Sequence, residues 1–410
     1  MKNEYDAIII GAGPAGLMAA GTCAAQGKSV LMIEKNAKTG RKLRITGKGR
    51  CNVTNDCSPQ EVIASVPKNG KFLFSALNQF DSSETMHFFE NLGVKLKVER
   101  GRRVFPVSDS ANEVADALEK FAQQNGVEIH RDTVQSLRVE NGAIVGVKTQ
   151  SGVVKAKSVL IACGGASYPG TGSNGDGAKL AKAVGHTIEP LKPSLIPLVE
   201  KGDTCAKLQG LSLKNSGVKV IDQEKKKVIY EDFGELLFTH FGLSGPTILS
   251  ASAHMRQMAS GRYAVEIDLK PALDDKKLDE RILRDFEETK NKQFMNSLEK
   301  LLPQKLIPVI VEKSGIDPEK RCHSVTREER LALGHLLKHF TVQVQSFRPL
   351  NEAIVTSGGV SVKEISPKTM ESKLIAGLFF AGEVMDVDAY TGGFNLQIAF
   401  ATGHLAGSYL

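Results

Sequence analysis

Residues Gly11-Ala12-Gly13-Pro14-Ala15-Gly16 fit the spacing G-x-G-x-x-G, which suits a pyrophosphate. Gly11 permits a tight turn, Gly13 lets phosphates reach the backbone, and Gly16 allows close packing of helix on strand. Pro14 and Ala15 complete the turn and share its cofactor contacts. A helix beginning here faces the phosphates with its N-terminal amides. Glu34 lies 23 residues after Gly11, where a carboxylate accepts from both hydroxyls of a ribose. Lys35 follows it as a further candidate contact. NAD and FAD both answer this description.

The C-terminal part of the chain decides between them. Residues 379–397, FFAGEVMDVDAYTGGFNLQ, read as a strand ending in Gly382-Glu383, then a Gly-Gly turn opening a helix at Gly393. In flavoproteins with two dinucleotide folds, such an acid binds the ribitol chain. The helix that follows points the amides of Phe394, Asn395, Leu396 and Gln397 at the flavin ring, stabilising negative charge on it. A simple NAD dehydrogenase has no use for this second element, so non-covalent FAD is the expected cofactor.

The elements that must hold these groups follow from the hydrophobic pattern. YDAIII (5–10) reads as a buried parallel strand, a helix runs to about Gln26, and SVLMIE (29–34) reads as the next strand, making a β-α-β unit. Residues 60–92 and 110–125 show helical spacing. Residues 127–163 read as a β meander with a turn at Asn141-Gly142, and 174–185 as a helix. The texture changes near Pro190, Pro193 and Pro197: short strands run to about 270, with one helix near 246–258. Residues 273–338 are charged and helical, 341–347 and 352–356 return to strand, 377–383 is a buried strand, and 394–408 is a final helix. The late strand resembles the nucleotide-fold strands at the start, so one domain is split, with about 193–350 inserted into it.

Charge and cysteines exclude other classes. The 410 residues carry 53 basic and 46 acidic side chains, net +7. Residues Lys35 to Arg50 hold seven basic residues and no acid, so the rest of the chain is neutral. A nucleic-acid binder spreads positive charge over a face; one local cluster suits a compact anion instead. From Asp274 to Arg330 the chain carries 13 basic and 13 acidic residues, a solvated face rather than an RNA patch. The six cysteines form no CxxC pair and no disulfide framework. The opening MKNEYD lacks the basic region of a signal peptide, and glycines interrupt the uncharged run Ala7–Gly27. The expected protein is cytoplasmic, takes a small-molecule substrate, and uses no nucleic acid, membrane or metal.

Five longer segments carry a resemblance. GRKLRITGKGRCNVTN (40–55), GGASYPGTGSNGDG (164–177), GELLFTHFGLSGP (234–246), TSGGVSVKEISPKTMESK (356–373) and AGEVMDVDAYTGGFNLQIAFATG (381–403) resemble the bacterial BaiN/RdsA-like, or aminoacetone-oxidase-like, flavoproteins of the glutathione-reductase superfamily. The resemblance spans nearly the whole chain. It implies an α/β fold: a discontinuous, Rossmann-like FAD domain of the two-dinucleotide-binding type, with an inserted small β-barrel and a helical subdomain. The expected domains are 1–192 with 351–410 for FAD, 193–272 with 339–350 for the barrel, and 273–338 for the helices. Some members are described as reductases of carbon–carbon double bonds in oxidised bile acids.

Further site candidates come from individual residues. Lys42 and Arg50 are candidates to neutralise the pyrophosphate, with the flavin face as Arg50's other reading; Gly47 and Gly49 let backbone approach the cofactor, and Thr46, Cys51 and Asn52 can bond the ribityl chain or ring edge. Val134 is the candidate for backbone contacts to adenine. Ala162-Cys163-Gly164-Gly165 ends a buried strand where this superfamily typically has Ala-Thr-Gly, so Cys163 removes any hydroxyl role there. Gly170–Gly175 repeats G-x-G-x-x-G, but too far past its strand for a second nucleotide turn; it is expected to border the flavin, with Tyr168 and Thr171 nearby.

Three proton or electron carriers are named. His240, in FTHFG of the insert, is the candidate general acid expected to approach the ring, and Tyr168 is the second. Cys51 and Cys57 are spaced C-x5-C, one residue more than the C-x4-C of flavin disulfide reductases, which rotates the partner by about 100° on a helix. His335 and His339 lie four apart, but HLLKH has no glutamate in the HExxH position. The expected activity is hydride transfer at flavin N5 to or from a small organic substrate, with NAD(P)H as transient donor and a conjugated double bond as acceptor. The alternatives are a disulfide reductase using Cys51 and Cys57, or a non-catalytic or tRNA-associated flavoprotein.

Overall fold

The computed structural model describes residues 4–410; the first three residues of MKNEYD lie outside the described residues. Two compact units emerge: one runs through Ser194 and resumes at Pro349–Leu410, the other is Leu195–Arg348.

The first unit is built on a seven-stranded sheet. The first strand, Glu4–Ile10, pairs in parallel with Val30–Glu34 on one side and with Val153–Ile161 on the other, Ile8 lying opposite Leu31 and Val159. These strands are almost uninterrupted apolar runs because helices and connections cover both faces. Leu378–Phe380 joins Val153–Ile161 in parallel, so the late strand belongs to the same sheet as the first. The meander is shorter than its sequence pattern suggests. Val134–Glu140, Ala143–Thr149 and Val153–Ile161 are antiparallel neighbours, but Glu128–Arg131 pairs in parallel with Val30–Glu34 at the opposite edge. Strand periodicity cannot tell these partners apart, since it reports faces and not neighbours.

The helix Pro14–Ala24 follows the first turn, and the last helix, Phe394–Tyr409, lies against it. A Cβ added to Gly403 or Gly407 would come within 2.4 Å of the Ala15 carbonyl oxygen or 2.5 Å of the Ala19 one, so the two backbones touch. This contact explains why the last helix is apolar on nearly all sides. The stretch 60–92 breaks into Pro59–Ala64, Phe74–Gln79 and Ser82–Asn91, because Ser58 with Glu61 caps the first and Asp81 caps the last. A two-stranded ribbon, Ile188–Ser194 with Val355–Val360, completes this unit's C-terminal arm.

The second unit holds a closed six-stranded antiparallel barrel of Leu198–Glu200, Gly242–Ser244, Lys227–Phe238, Ser212–Asp222, Tyr263–Asp268 and Phe340–Phe347. The charged stretch folds into the helices Asp275–Glu288, Ile307–Ser314 and Arg327–Lys338, whose Ile282, Ile310 and Leu337 share one core with barrel residues Val218, Val265 and Phe340. The helix near 246–258 stops at Ser252. Among the described residues, no helix is long and apolar enough to cross a membrane.

Candidate functional site

The glycine-rich turn has three different reasons for its glycines. Gly11 has φ +102°, and a Cβ there would meet the Ala162 oxygen and Cys163 Cα at 2.8 Å, so the turn presses on the end of the neighbouring strand. A Cβ on Gly16 would sit 2.0 Å from the Gly11 oxygen, which is the close approach of helix to turn. Gly13 differs. It caps the helix in an ordinary extended conformation, and an added Cβ would meet nothing nearer than the Ala162 oxygen at 3.9 Å. The space in front of Gly13, at the start of the helix, is therefore open, the condition a pyrophosphate requires.

Glu34 closes one end of this turn. Its Oε2 accepts from the Ala12 amide at 2.8 Å, and Oε1 accepts from the Asn36 amide at 2.8 Å and the Asn36 side-chain amide at 2.6 Å. Oε2, which accepts a single bond, retains a lone pair for a ribose hydroxyl. Asn36 Nδ2 also donates to the Thr171 carbonyl at 3.1 Å, while Lys35 bonds Asn174 at 2.9 Å and Asp176 at 2.7 Å. The loop Gly170–Gly175 thus packs on the end of the Glu34 strand. Val134 begins its strand two residues after Asp132, whose amide bonds the Glu34 carbonyl.

Glu383 is the hub of the opposite side. Lys42 Nζ reaches Glu383 Oε2 at 2.7 Å and Ser167 Oγ at 2.7 Å. Glu383 Oε1 accepts from the Thr356 amide at 2.8 Å and from Ser167 Oγ at 3.1 Å. The Thr356 hydroxyl in turn receives the amides of Ala166 and Ser167, at 2.8 and 3.0 Å. Gly165 must be glycine here, since its Cβ would lie 2.5 Å from Thr356 Oγ1; Gly164 has φ +72°. Ala162 bonds the end of the first strand through Ile10. The sequence reading missed Thr356 and Ser167, although both lie in segments that carry the family resemblance.

Four of the seven basic residues between Lys35 and Arg50 have acid partners within the fold. Lys35 pairs with Asp176, Lys42 with Glu383, Arg44 with Asp116, and Arg50 with Glu99 and Asp109. Arg50 also lies over the Phe105 ring at 4.3 Å, and its two carboxylates hold its charge in place, so it is an anchor of its loop. The exposed Lys38, Arg41 and Lys48 have no acid partner among the described residues. Gly47, Lys48, Gly49 and Cys51 all have φ between 57° and 86°. Lys48 and Cys51 hold a left-handed backbone that side chains rarely adopt, a form of strain that clusters at ligand-binding loops. The Thr46 hydroxyl donates to the Leu43 carbonyl, and the Asn52 side-chain oxygen is buried without a partner. A buried unpaired acceptor calls for an explanation, and a bound ligand's donor supplies one.

Cys51 and Cys57 do not share a helix, because the short strand Thr54–Asn55 lies between them, and both thiols are free. Burial pushes the Cys51 thiol up to about 12, far from a reactive thiolate, and also raises Cys57. We expect Cys57→Ser to leave flavin reduction unchanged, with reductive titration consuming two electrons per flavin. Four electrons and a long-wavelength thiolate–flavin band would overturn this.

The late glycine turn opens the last helix. Gly393 has φ +99°, and its Cβ would collide with the Thr54 backbone at 2.4 Å. The first-turn amides of Phe394, Asn395 and Leu396 have no acceptor within their helix. Asn395 uses its side chain to hold Ala389 from both sides, at 2.8 and 2.9 Å. Gln397 is engaged within the fold. Its side chain is buried, bonded to Thr54, Thr85 and the Phe80 carbonyl at 2.7, 2.8 and 2.9 Å, and its amide bonds Gly393. These bonds fasten the helix start to the strand Thr54–Asn55 and to the helix Ser82–Asn91.

Tyr168 caps a short turn with φ 52° and is 37% exposed; Thr171 Oγ1 bonds its carbonyl at 2.7 Å. His240 lies in the second unit, exposed at the tip of a turn joining two barrel strands.

Over residues 5–409 the sequence matches the family of the HI0933-like protein Rossmann domain. The chain belongs to this family. It is 31% identical to the 3-dehydro-bile acid delta(4,6)-reductase of Clostridium scindens, over 97% of each chain. It is equally 31% identical to the ribosomal RNA dihydrouridine synthase of Escherichia coli, over 98% of this chain and 96% of the relative. The fold is similar to that of a 3-ketosteroid-delta4-(5alpha)-dehydrogenase from Rhodococcus jostii, with TM-score 0.51, 15% identity, and coverage of 100% of this chain and 97% of that one. The protein is a flavin-dependent oxidoreductase. The open space at Gly13 and the orphaned Asn52 oxygen fit a flavin dinucleotide.

Proposed function

We propose that the protein binds FAD without a covalent link and reduces a carbon–carbon double bond conjugated to a carbonyl in a small organic substrate. One observation carries the reaction class. Two relatives of equal identity, with unlike substrates, are named for related chemistry: a delta(4,6)-reductase of a 3-dehydro steroid and a synthase of dihydrouridine. Both names describe saturation of an alkene beside a carbonyl.

In this reading the turn Gly11–Gly16 holds the pyrophosphate, Glu34 the adenosine ribose, and Val134 the adenine through its backbone. Glu383, kept in place by Lys42, Ser167 and Thr356, faces the ribityl chain. Asn52 and the amides of Phe394, Asn395 and Leu396 take the ring. When bound, FAD supplies a two-electron carrier that NAD(P)H can charge and a polarised alkene can discharge. The chain must then deliver one proton to the substrate carbon beside the carbonyl, and His240 and Tyr168 are its candidates.

Acid precipitation of purified protein should release a yellow supernatant containing FAD. FMN there would sink the Glu34 assignment, and colour left in the pellet would sink the non-covalent one. The relative named for ribosomal RNA favours a second reading, in which the alkene is a uracil within RNA, against the expected absence of a nucleic-acid partner. Anaerobically reduced enzyme offered a 3-oxo-Δ4 steroid and a uridine-containing RNA separates the two, since the true class reoxidises the flavin.

A further inference from the structure

Lys42 and Glu383 form an ion pair at 2.7 Å, and the bonds around it leave little unused. A carboxylate oxygen accepts on two lone pairs, and an ammonium donates three protons. Glu383 Oε1 takes the Thr356 amide at 2.8 Å and the Ser167 hydroxyl at 3.1 Å. Ser167 has a second acceptor in the Ile354 carbonyl at 3.3 Å, but the charged and nearer oxygen is the better one. Oε1 is therefore full. It is also walled in, since a Cβ on Gly165 would lie 3.0 Å from it. Oε2 accepts only from Lys42 and keeps one lone pair. A Cβ on Gly164 would still be 4.0 Å from it.

Lys42 uses two of its three protons, on Glu383 Oε2 and on Ser167 Oγ, both at 2.7 Å. Among the described residues it has no third acceptor. Both side chains stay accessible, Lys42 at 21% and Glu383 at 20%. What is left over is one donor and one acceptor on atoms 2.7 Å apart. A phosphate oxygen only accepts, so it would set its own charge against the free lone pair of the carboxylate. A carbonyl likewise leaves that lone pair unmet. A hydroxyl accepts with its oxygen and donates with its proton, and satisfies both at once.

We infer that Lys42 and Glu383 together receive one hydroxyl of the flavin's ribityl chain, and that Lys42 is no ligand of the pyrophosphate. This rests on the FAD reading above and adds Lys42 to it as the donor half of the subsite. Thr356 and Ser167 are then positioning residues: by filling Oε1 they fix which oxygen of Glu383 is offered.

ADP separates the two roles of Lys42, because it carries the adenosine and pyrophosphate of FAD but no ribityl hydroxyl. Dissociation constants for both are measured on the flavin-free protein, FAD by its fluorescence and ADP by competition with it. Lys42→Met should lower FAD affinity by roughly tenfold or more, the scale of a lost bond to a charged group, and leave ADP affinity unchanged. Lys42→Arg keeps the charge, but its planar fork cannot place the same proton, so it should give the same split. A pyrophosphate ligand would tolerate that exchange. Glu383→Gln should also weaken FAD and spare ADP. Combined with Lys42→Met it should lose less than the product of the single losses, since both act on one hydroxyl. FAD and ADP falling together in Lys42→Met, FAD affinity surviving there, or losses that multiply in the double variant would each overturn the inference. Should Lys42→Met fail to fold, the split in Lys42→Arg decides: its absence overturns the inference. Failure of the wild type to bind FAD overturns the FAD reading itself.

Discussion

Gly13→Val should fold normally and purify colourless. The backbone at Gly13 is in a conformation open to any residue, and the nearest atom to an added Cβ is 3.9 Å away. A valine there fits the protein but fills the space before the helix amides, where phosphates would lie. Flavin affinity should fall by about 10²-fold or more, near 2.7 kcal/mol, while the thermal midpoint of the flavin-free protein stays close to that of the wild type. Gly11→Ala should fail in the other way. Its φ of +102° disfavours any side chain, at about 1–2 kcal/mol, and its Cβ would clash at 2.8 Å with the end of the neighbouring strand. The check is flavin absorbance per protein, read beside a melting curve for each variant. A yellow Gly13→Val would remove the phosphate site from this turn.

The two glycines look identical in a motif, and only their surroundings separate them. This marks how far the sequence was readable. Strands and helices follow from local periodicity and spacing, because those are properties of neighbouring residues, whereas the family fold follows from the resemblance of five segments. That Leu378–Phe380 belongs with the early strands follows from its resemblance to them, but its pairing with Val153–Ile161 does not, since no local pattern encodes a partner more than two hundred residues away.

Electrostatics were the least readable part. Seven basic residues within sixteen look like free positive charge, yet Lys42 finds its acid 341 positions away and Lys35 finds one 141 away. Gln397 shows the same limit within a helix. It follows a glycine turn, where an amide aimed at a cofactor is expected, but its partners Thr54 and Thr85 lie 343 and 312 positions back. Leaving those hydroxyls unpaired would cost about 1–3 kcal/mol for each group, so the fold claims the side chain first.

His240→Ala should keep its flavin and lose turnover by about 10²-fold, the usual scale for a general acid. The imidazole takes no part in the hydrogen bonds that close its own turn. The turn that carries it is held by Thr239, whose amide and hydroxyl both bond the Gly242 carbonyl, at 2.8 and 2.9 Å, without help from the imidazole. Gly242 keeps the turn tight, because its Cβ would lie 2.1 Å from the Leu198 oxygen. The imidazole packs edge-on against Phe241 at 5.0 Å and is otherwise exposed, and Arg348 covers Phe241 at 4.5 Å. Truncation should therefore cost the barrel little, on the scale of an exposed side chain, within about 0.5 kcal/mol. Any large loss of turnover with an unchanged melting point would then belong to chemistry. The measurement is the rate at which a conjugated enone reoxidises the reduced enzyme, expressed per bound flavin. If that rate is normal in His240→Ala, the proton comes from elsewhere, and Tyr168→Phe becomes the deciding variant. That substitution keeps the ring and the left-handed backbone at 52° and removes only the hydroxyl.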